Sequence, residues 1–242
     1  MNPAGALHRS RLIPALFALG AVLLCSGLGV WQVERLFWKR GLIAAREAAL
    51  AAPPVAPPAS LDQARGLEFR HIAATGSFLN EKETYLHTIG PRGGLGFEVL
   101  TPLRLNDGQA ILIDRGFVPA ERKDPATRRD GQPDGQVQVN GLLRVPPKTK
   151  PGWFVPDNHP DTGEWFWLDL PAIARKAGIS AAAPFYIQAD ARANPGGWPK
   201  SRGDTPPPLP NDHLQYAITW FSLAVAAAVV YVLSQRRTPL DR

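Results

Sequence analysis

Two apolar runs without a charged side chain, Leu12–Val33 and Leu214–Ser234, stand near opposite ends of the chain, and the stretch between them has the composition of water-soluble protein. A helix of about 20 residues, rising 1.5 Å per residue, crosses the roughly 30 Å hydrocarbon core of a bilayer. Each run reaches that length. A membrane-anchored domain with both chain ends on one side is therefore expected.

Removing spans and tails leaves about 180 residues, enough for one compact domain. The net charge of +6 comes partly from Arg and Lys beside the spans. It points to membrane lipid as a partner, and the middle lacks a basic stripe interleaved with aromatics, so nucleic acid is not expected. The single cysteine, Cys25, lies in the first run. The soluble region thus has no thiol for a disulfide, a redox pair or a copper-thiolate centre. Leu24 before Cys25 is too large for lipoprotein processing. The first run also exceeds a signal peptide's apolar stretch and has no cleavage site at its end, so it reads as an uncleaved anchor.

Arg9, Arg11, Arg236, Arg237 and Arg242 place both tails in the cytoplasm by the positive-inside rule, while Arg35, Lys39 and Arg40 oppose it. Glu34–Ala52 is rich in Ala, Leu, Arg and Glu, so the first helix should continue beyond the membrane until Pro53-Pro54 stops it. The expected organisation is a tail at 1–11, a span at 12–33, and a helical stalk with a proline-rich linker at 34–60. A β-rich domain at 61–192 follows, then a Pro/Gly-rich linker at 193–212, a second span at 213–234 and a tail at 235–242.

Within the domain the apolar period is mostly two. Phe69–Gly76, Thr84–Ile89, Gly96–Leu105, Gln109–Phe117, Val137–Val145 and Phe185–Ala189 read as strands, with Asn106-Asp107-Gly108 closing a hairpin. Leu170–Gly178 reads as a helix capped by Asp169. The fold class is α+β: two transmembrane helices flanking a predominantly antiparallel β domain, as a sheet or small barrel, with a few helices.

No G-x-S-x-G, H-E-x-x-H or cysteine nucleophile is present, so no catalytic residue is assigned and an enzyme is not expected. His71, His87 and His159 lack metal-ligand spacing, although His71 and His87 fall on neighbouring expected strands. Trp165-Phe166-Trp167 reads as core on one face or as a stacking surface. Gly116 and Pro119 are expected to end a strand in a tight turn that aims Arg115 at an acid or a ligand.

His213, Tyr216 and Trp220, spaced by three and four, share a helix face at the start of the second span. A neutral imidazole at that depth suits haem iron, with His213 as the metal ligand and the two rings lining a groove. Tyr and Trp are also common anchors at a bilayer boundary, and a histidine there can simply be solvated. The residues alone leave both readings open. Ala21, Cys25 and Gly29 on one span, and Ala224 with Ala228 on the other, suggest small-residue stripes of a helical hairpin.

Four segments in order, Gly29–Lys39 (GVWQVERLFWK), Thr101-Pro102-Leu103, Ile113–Pro119 (IDRGFVP) and His213–Phe221 (HLQYAITWF), resemble the surfeit locus protein 1 family of cytochrome c oxidase assembly factors. The resemblance implies a multi-pass protein of the inner membrane with its central domain on the periplasmic side. It implies a chaperone role in respiratory chain biogenesis, where haem a enters the oxidase catalytic subunit. The catalytic subunit and the haem a synthase are the implied partners, and haem a binding at His213 the implied chemistry. A cofactor-free scaffold that stabilises an early oxidase intermediate is the alternative. Asp114 departs from the family, which more usually has asparagine before Arg-Gly, and an acidic neighbour there is expected to pair with Arg115.

Overall fold

The computed structural model describes residues 3–90, 93–190, 194–203 and 206–236. Helix α1 runs unbroken from Pro3 to Ala51, and helix α4 from His213 to Arg236. Leu12–Ala51 and His213–Arg236 are each long and apolar enough to cross a membrane, so this is a membrane protein. α1 stops where Pro53-Pro54 can neither donate a backbone hydrogen bond nor accommodate the preceding turn. Arg237, Arg242 and the expected domain end at 192 lie outside the described residues.

The chain forms two compact units, Met1–Ala45 with Pro208–Arg242, and Arg46–Pro207. In the second unit Arg46 donates to the Pro207 carbonyl at 2.8 Å, joining the two ends of the unit. Val55, between the prolines, is pinned to the domain: its N–H donates to His71 O and its carbonyl accepts from Ala73 N–H. Short helix α2 (Leu61–Gly66) follows, capped by the Ser60 hydroxyl, while Gln63 reaches back to the Ala59 N–H.

Six strands follow: β1 (His71–Phe78), β2 (Thr84–Ile89), β3 (Leu95–Leu105), β4 (Ala110–Pro119), β5 (Gln136–Arg144) and β6 (Ala182–Ala189). Helix α3 (Leu170–Lys176) precedes β6, with Asp169 accepting from the Ala172 N–H at its start. The sheet order is β1-β5-β6-β4-β3-β2, and a further β1–β3 pairing closes five strands into a small barrel with β2 on its edge. All pairings are antiparallel except β4–β6, which is parallel. That pair needs a long connection, and residues 120–181, which include β5 and α3, provide it.

Period two divides the core. Ile111 and Ile113 join Ile72, Leu103, Leu143, Phe185 and Ile187 on one face, while Leu112 joins Leu100, Trp165, Leu170 and Ile173 on the other. Trp165 is therefore core, not a stacking surface. β1 and β2 are not neighbours, so the strands that carry His71 and His87 are not paired: β1 pairs with β5 and β3.

β4 does not end at Gly116. It continues to Pro119, and the register shifts between Val99 and Leu100, which face Gly116 and Asp114 respectively. Arg115 is the extra residue of this β-bulge and so leaves the alternation of its strand. Gly116 has φ +104°, and a Cβ there would collide with the Lys200 backbone. Glycine is required at this position both by conformation and by close approach.

Candidate functional site

The first unit brings α1 and α4 together as an antiparallel pair. Gly29 lies against the Phe221 ring, where a Cβ would stand 2.7 Å from Cε1. Asn211 donates to the Leu36 carbonyl at 3.5 Å. The buried positions are Gly29, Gln32 and Leu36 on α1, and Ala217 and Ala224 on α4. The expected stripes are thus corrected: Ala228 is exposed, Ala21 and Cys25 are only half-buried, and Ala217 takes the place given to Ala228. The pair is set by where Phe221 needs room, rather than by the longest row of small residues.

At the end of this contact nearest the start of α4, the Nδ1 of His213 is 2.6 Å from Oε1 of Gln32. With the amide oxygen as its partner Nδ1 is the donor, and in the neutral tautomer that this contact selects the lone pair lies on Nε2. Gln32 is only 9% exposed, so the bond is shielded on its α1 side, and Trp31 approaches the imidazole edge-on with centroids 6.5 Å apart. A recess of about 220 Å³ is lined by Gln32, Pro210, Asp212, His213 and Tyr216. His213 and Tyr216 therefore line one surface. Trp220, a turn further along α4, is half-buried and does not belong to that lining.

A histidine whose other nitrogen is held by an amide oxygen has the arrangement that orients an imidazole toward a metal. The donor chemistry at His213 fits haem iron in this respect. The recess would take only an edge of a macrocycle, and Tyr216, 55% exposed, leaves the rest of that face open. Gln32 is the residue that sequence reasoning missed. Its signal was there: it is a lone amide in the last turn of an otherwise apolar span.

Arg115 lies in the second unit and has no exposed surface. Its Nε donates to Asn194 Oδ1 at 3.0 Å, Asn194 Nδ2 donates back to the Arg115 carbonyl at 2.6 Å, and Nη2 donates to Gly131 O. Its guanidinium lies 4.6 Å from the Phe78 ring centroid and 3.6 Å from Glu83 Oε1. Glu83 also receives a two-pronged contact from Arg128, at 3.2 and 2.5 Å, and the Tyr85 hydroxyl at 2.8 Å. Burial lowers the Arg115 pKa to about 10 against the pull of Glu83. Burial and then Glu83 push the Tyr85 hydroxyl well above its ordinary value. Burial opposes the charge on Arg128, but its hydrogen bonds to Glu83 prevail and raise its pKa.

The expected pairing of Asp114 with Arg115 is not found, because the two side chains leave the bulge on different sides. Asp114 Oδ1 accepts the Gly116 N–H at 3.0 Å, and its carboxyl lies beside Glu98. Glu98 is held by Arg202, at 2.9 Å to Nε and 2.7 Å to Nη2, and Arg202 also donates to Thr88 Oγ1. Burial and then the neighbouring Glu98 raise the Asp114 pKa well above 3.8. His87 stacks on Phe166 with centroids 4.8 Å apart, and His159 meets the edge of the same ring. Among the described residues no cluster of three or more metal-binding side chains occurs.

The SURF1 family pattern matches residues 19–225. The surfeit locus protein 1 of Homo sapiens is 38% identical over 221 residues, covering 85% of this chain and 72% of that protein. That of Mus musculus is 37% identical over 233 residues, 88% of this chain and 73% of the mouse protein. A SURF1-like protein of Monosiga brevicollis is 36% identical over 226 residues, with 87% and 83% covered.

Proposed function

This chain belongs to the SURF1 family, and on that premise we propose that it assists assembly of a cytochrome c type terminal oxidase in the inner membrane, with its β domain on the periplasmic side. The observation that carries the cofactor part of this reading is the 2.6 Å contact between Gln32 and His213. It fixes an imidazole at the membrane boundary with Nε2 free to bind iron, the role that haem a delivery to the catalytic subunit asks of this chain. Haem a is then cargo, held by one ligand and released to a client that binds it better. Tyr216 lies beside that ligand as an aromatic wall, and Trp220 extends the same helix face.

A second reading, a cofactor-free scaffold for an early oxidase intermediate, is favoured by the small size of the recess, about 220 Å³. The two separate in one experiment. The full chain is purified from cells that make haem a, beside His213→Ala, and oxidase assembly is measured in each strain. Delivery predicts a Soret band lost in the variant together with assembly. A variant that assembles oxidase normally with no haem bound supports the scaffold. A periplasm-only reporter inserted in the β3–β4 hairpin at Asp107 tests the orientation, and a silent reporter overturns it.

A further inference from the structure

The crossover from β5 to α3 carries the two most exposed large apolar side chains among the described residues. Trp153 is 83% exposed and Phe154 81%. They are adjacent, their ring centroids lie 3.8 Å apart, and they occupy the centre of a turn closed by the Val155 N–H on the Gly152 carbonyl at 3.3 Å. The turn is stiff. Pro146, Pro147, Pro151 and Pro156 fix the backbone around it, and Lys150 Nζ meets Asp157 Oδ1 at 2.6 Å across its base. A flexible loop could fold such rings back onto the domain, whereas this one presents them outward.

Single exposed apolar residues are ordinary, but a Trp–Phe pair in ring contact at the tip of a rigid turn marks a surface that something covers. Charge indicates what. Lys148 and Lys150 precede the pair in the same turn, Lys148 exposed, and Asp157 offsets only Lys150. Aromatic rings beside lysines match the interfacial zone of a bilayer bearing anionic headgroups. The unit that carries this turn is attached at both ends to helices that enter the membrane, so lipid is present at high effective concentration and weak partitioning suffices.

We propose that the Lys148–Pro156 turn is a lipid-binding element that inserts Trp153 and Phe154 into the interface of an anionic membrane. The proposal is independent of the cofactor reading and gives the β domain its own contact with lipid. The test uses the full chain in nanodiscs, with Cys25→Ser and an environment-sensitive dye on Thr149→Cys, an exposed position of the same turn; a dye on Glu81→Cys is the water-exposed reference. In anionic discs the emission at 149 should shift to the blue and be quenched by spin-labelled lipid at least about twofold more than the reference. Trp153→Ala with Phe154→Ala should abolish the difference, and Lys148→Glu with Lys150→Glu should weaken it. Equal quenching at both sites, no effect of the double alanine change, or no difference between anionic and zwitterionic discs overturns the proposal. Shielding that appears only on adding an oxidase subunit also overturns it and makes the occupant a protein.

Discussion

Glu83 and Arg128 form a two-pronged ion pair inside the β domain, their side chains 2% and 1% exposed, and Arg115 lies 3.6 Å from Oε1 of the same carboxylate. One acid thus neutralises two buried guanidinium groups. Such an arrangement tolerates no loss of the shared partner, because removing one member of a buried pair leaves an uncompensated charge. Glu83→Gln should cost about 3–5 kcal/mol, the range for such a loss. A fall of many degrees in the melting temperature of the purified full chain is expected, and a change within a degree or two would show that water reaches the cluster.

Asp114 gives the opposite kind of prediction. Burial and Glu98 raise its folded pKa above 3.8, so the folded chain binds a proton that the unfolded chain releases. Its contribution is fully present below about pH 3.8 and is lost as pH rises through the raised value. Asp114→Asn keeps an oxygen for the Gly116 N–H and offers an N–H to Glu98 without a proton to lose. It should raise stability at neutral and alkaline pH and flatten the pH dependence of melting. A variant less stable than the parent at pH 8 would refute the assignment of a protonated carboxyl.

Gly116 ties the bulge to a strap, residues 198–203, that returns along β4. The Phe117 N–H and carbonyl both bond Lys200 at 2.8 Å, Gln188 Nε2 donates to Gly203 O, and Ser201 Oγ donates to Ala189 O. Gly116→Ala forces an L-residue to φ +104° and drives its Cβ into Lys200. A loss of about 1–3 kcal/mol is expected from the conformation alone. Limited proteolysis should then cut near 198–203 faster than in the parent. Unchanged cleavage there would mean that the strap does not depend on this contact.

The membrane helices, most strands and the cap of α3 were legible because each is a local matter of period, length and capping residue. Thr84–Ile89 is expected and found with the same bounds, and Asp169 caps as its position suggests. What sequence could not show depends on register. A one-residue bulge opposite Val99 sends Arg115 toward Glu83 and Asp114 toward Glu98, and no pattern in IDRGF announces it. The helix contact likewise turns on Phe221 filling the space over Gly29, a choice that a list of small residues does not rank. For the candidate site, His213 was visible as a histidine at the start of a span. Its partner, 181 positions away on the other helix, shows only as a lone amide in an apolar span, with nothing in the sequence to pair it with His213.

Gln32 is where the proposed cofactor chemistry is most exposed to test. If its Oε1 sets the tautomer of His213, removing the amide frees the imidazole to rotate and to place its proton on either nitrogen. Gln32→Leu keeps the side-chain bulk at this buried position but loses the acceptor. Loss of such an orienting partner typically weakens a metal–histidine bond by about 10–100-fold. Haem retained per protein after detergent purification should fall by a comparable factor, with the fold of the β domain unchanged. Gln32→Glu restores an acceptor and should recover binding. Equal haem retention by the leucine and glutamate variants would separate Gln32 from the ligand and leave His213 without an orienting partner on α1.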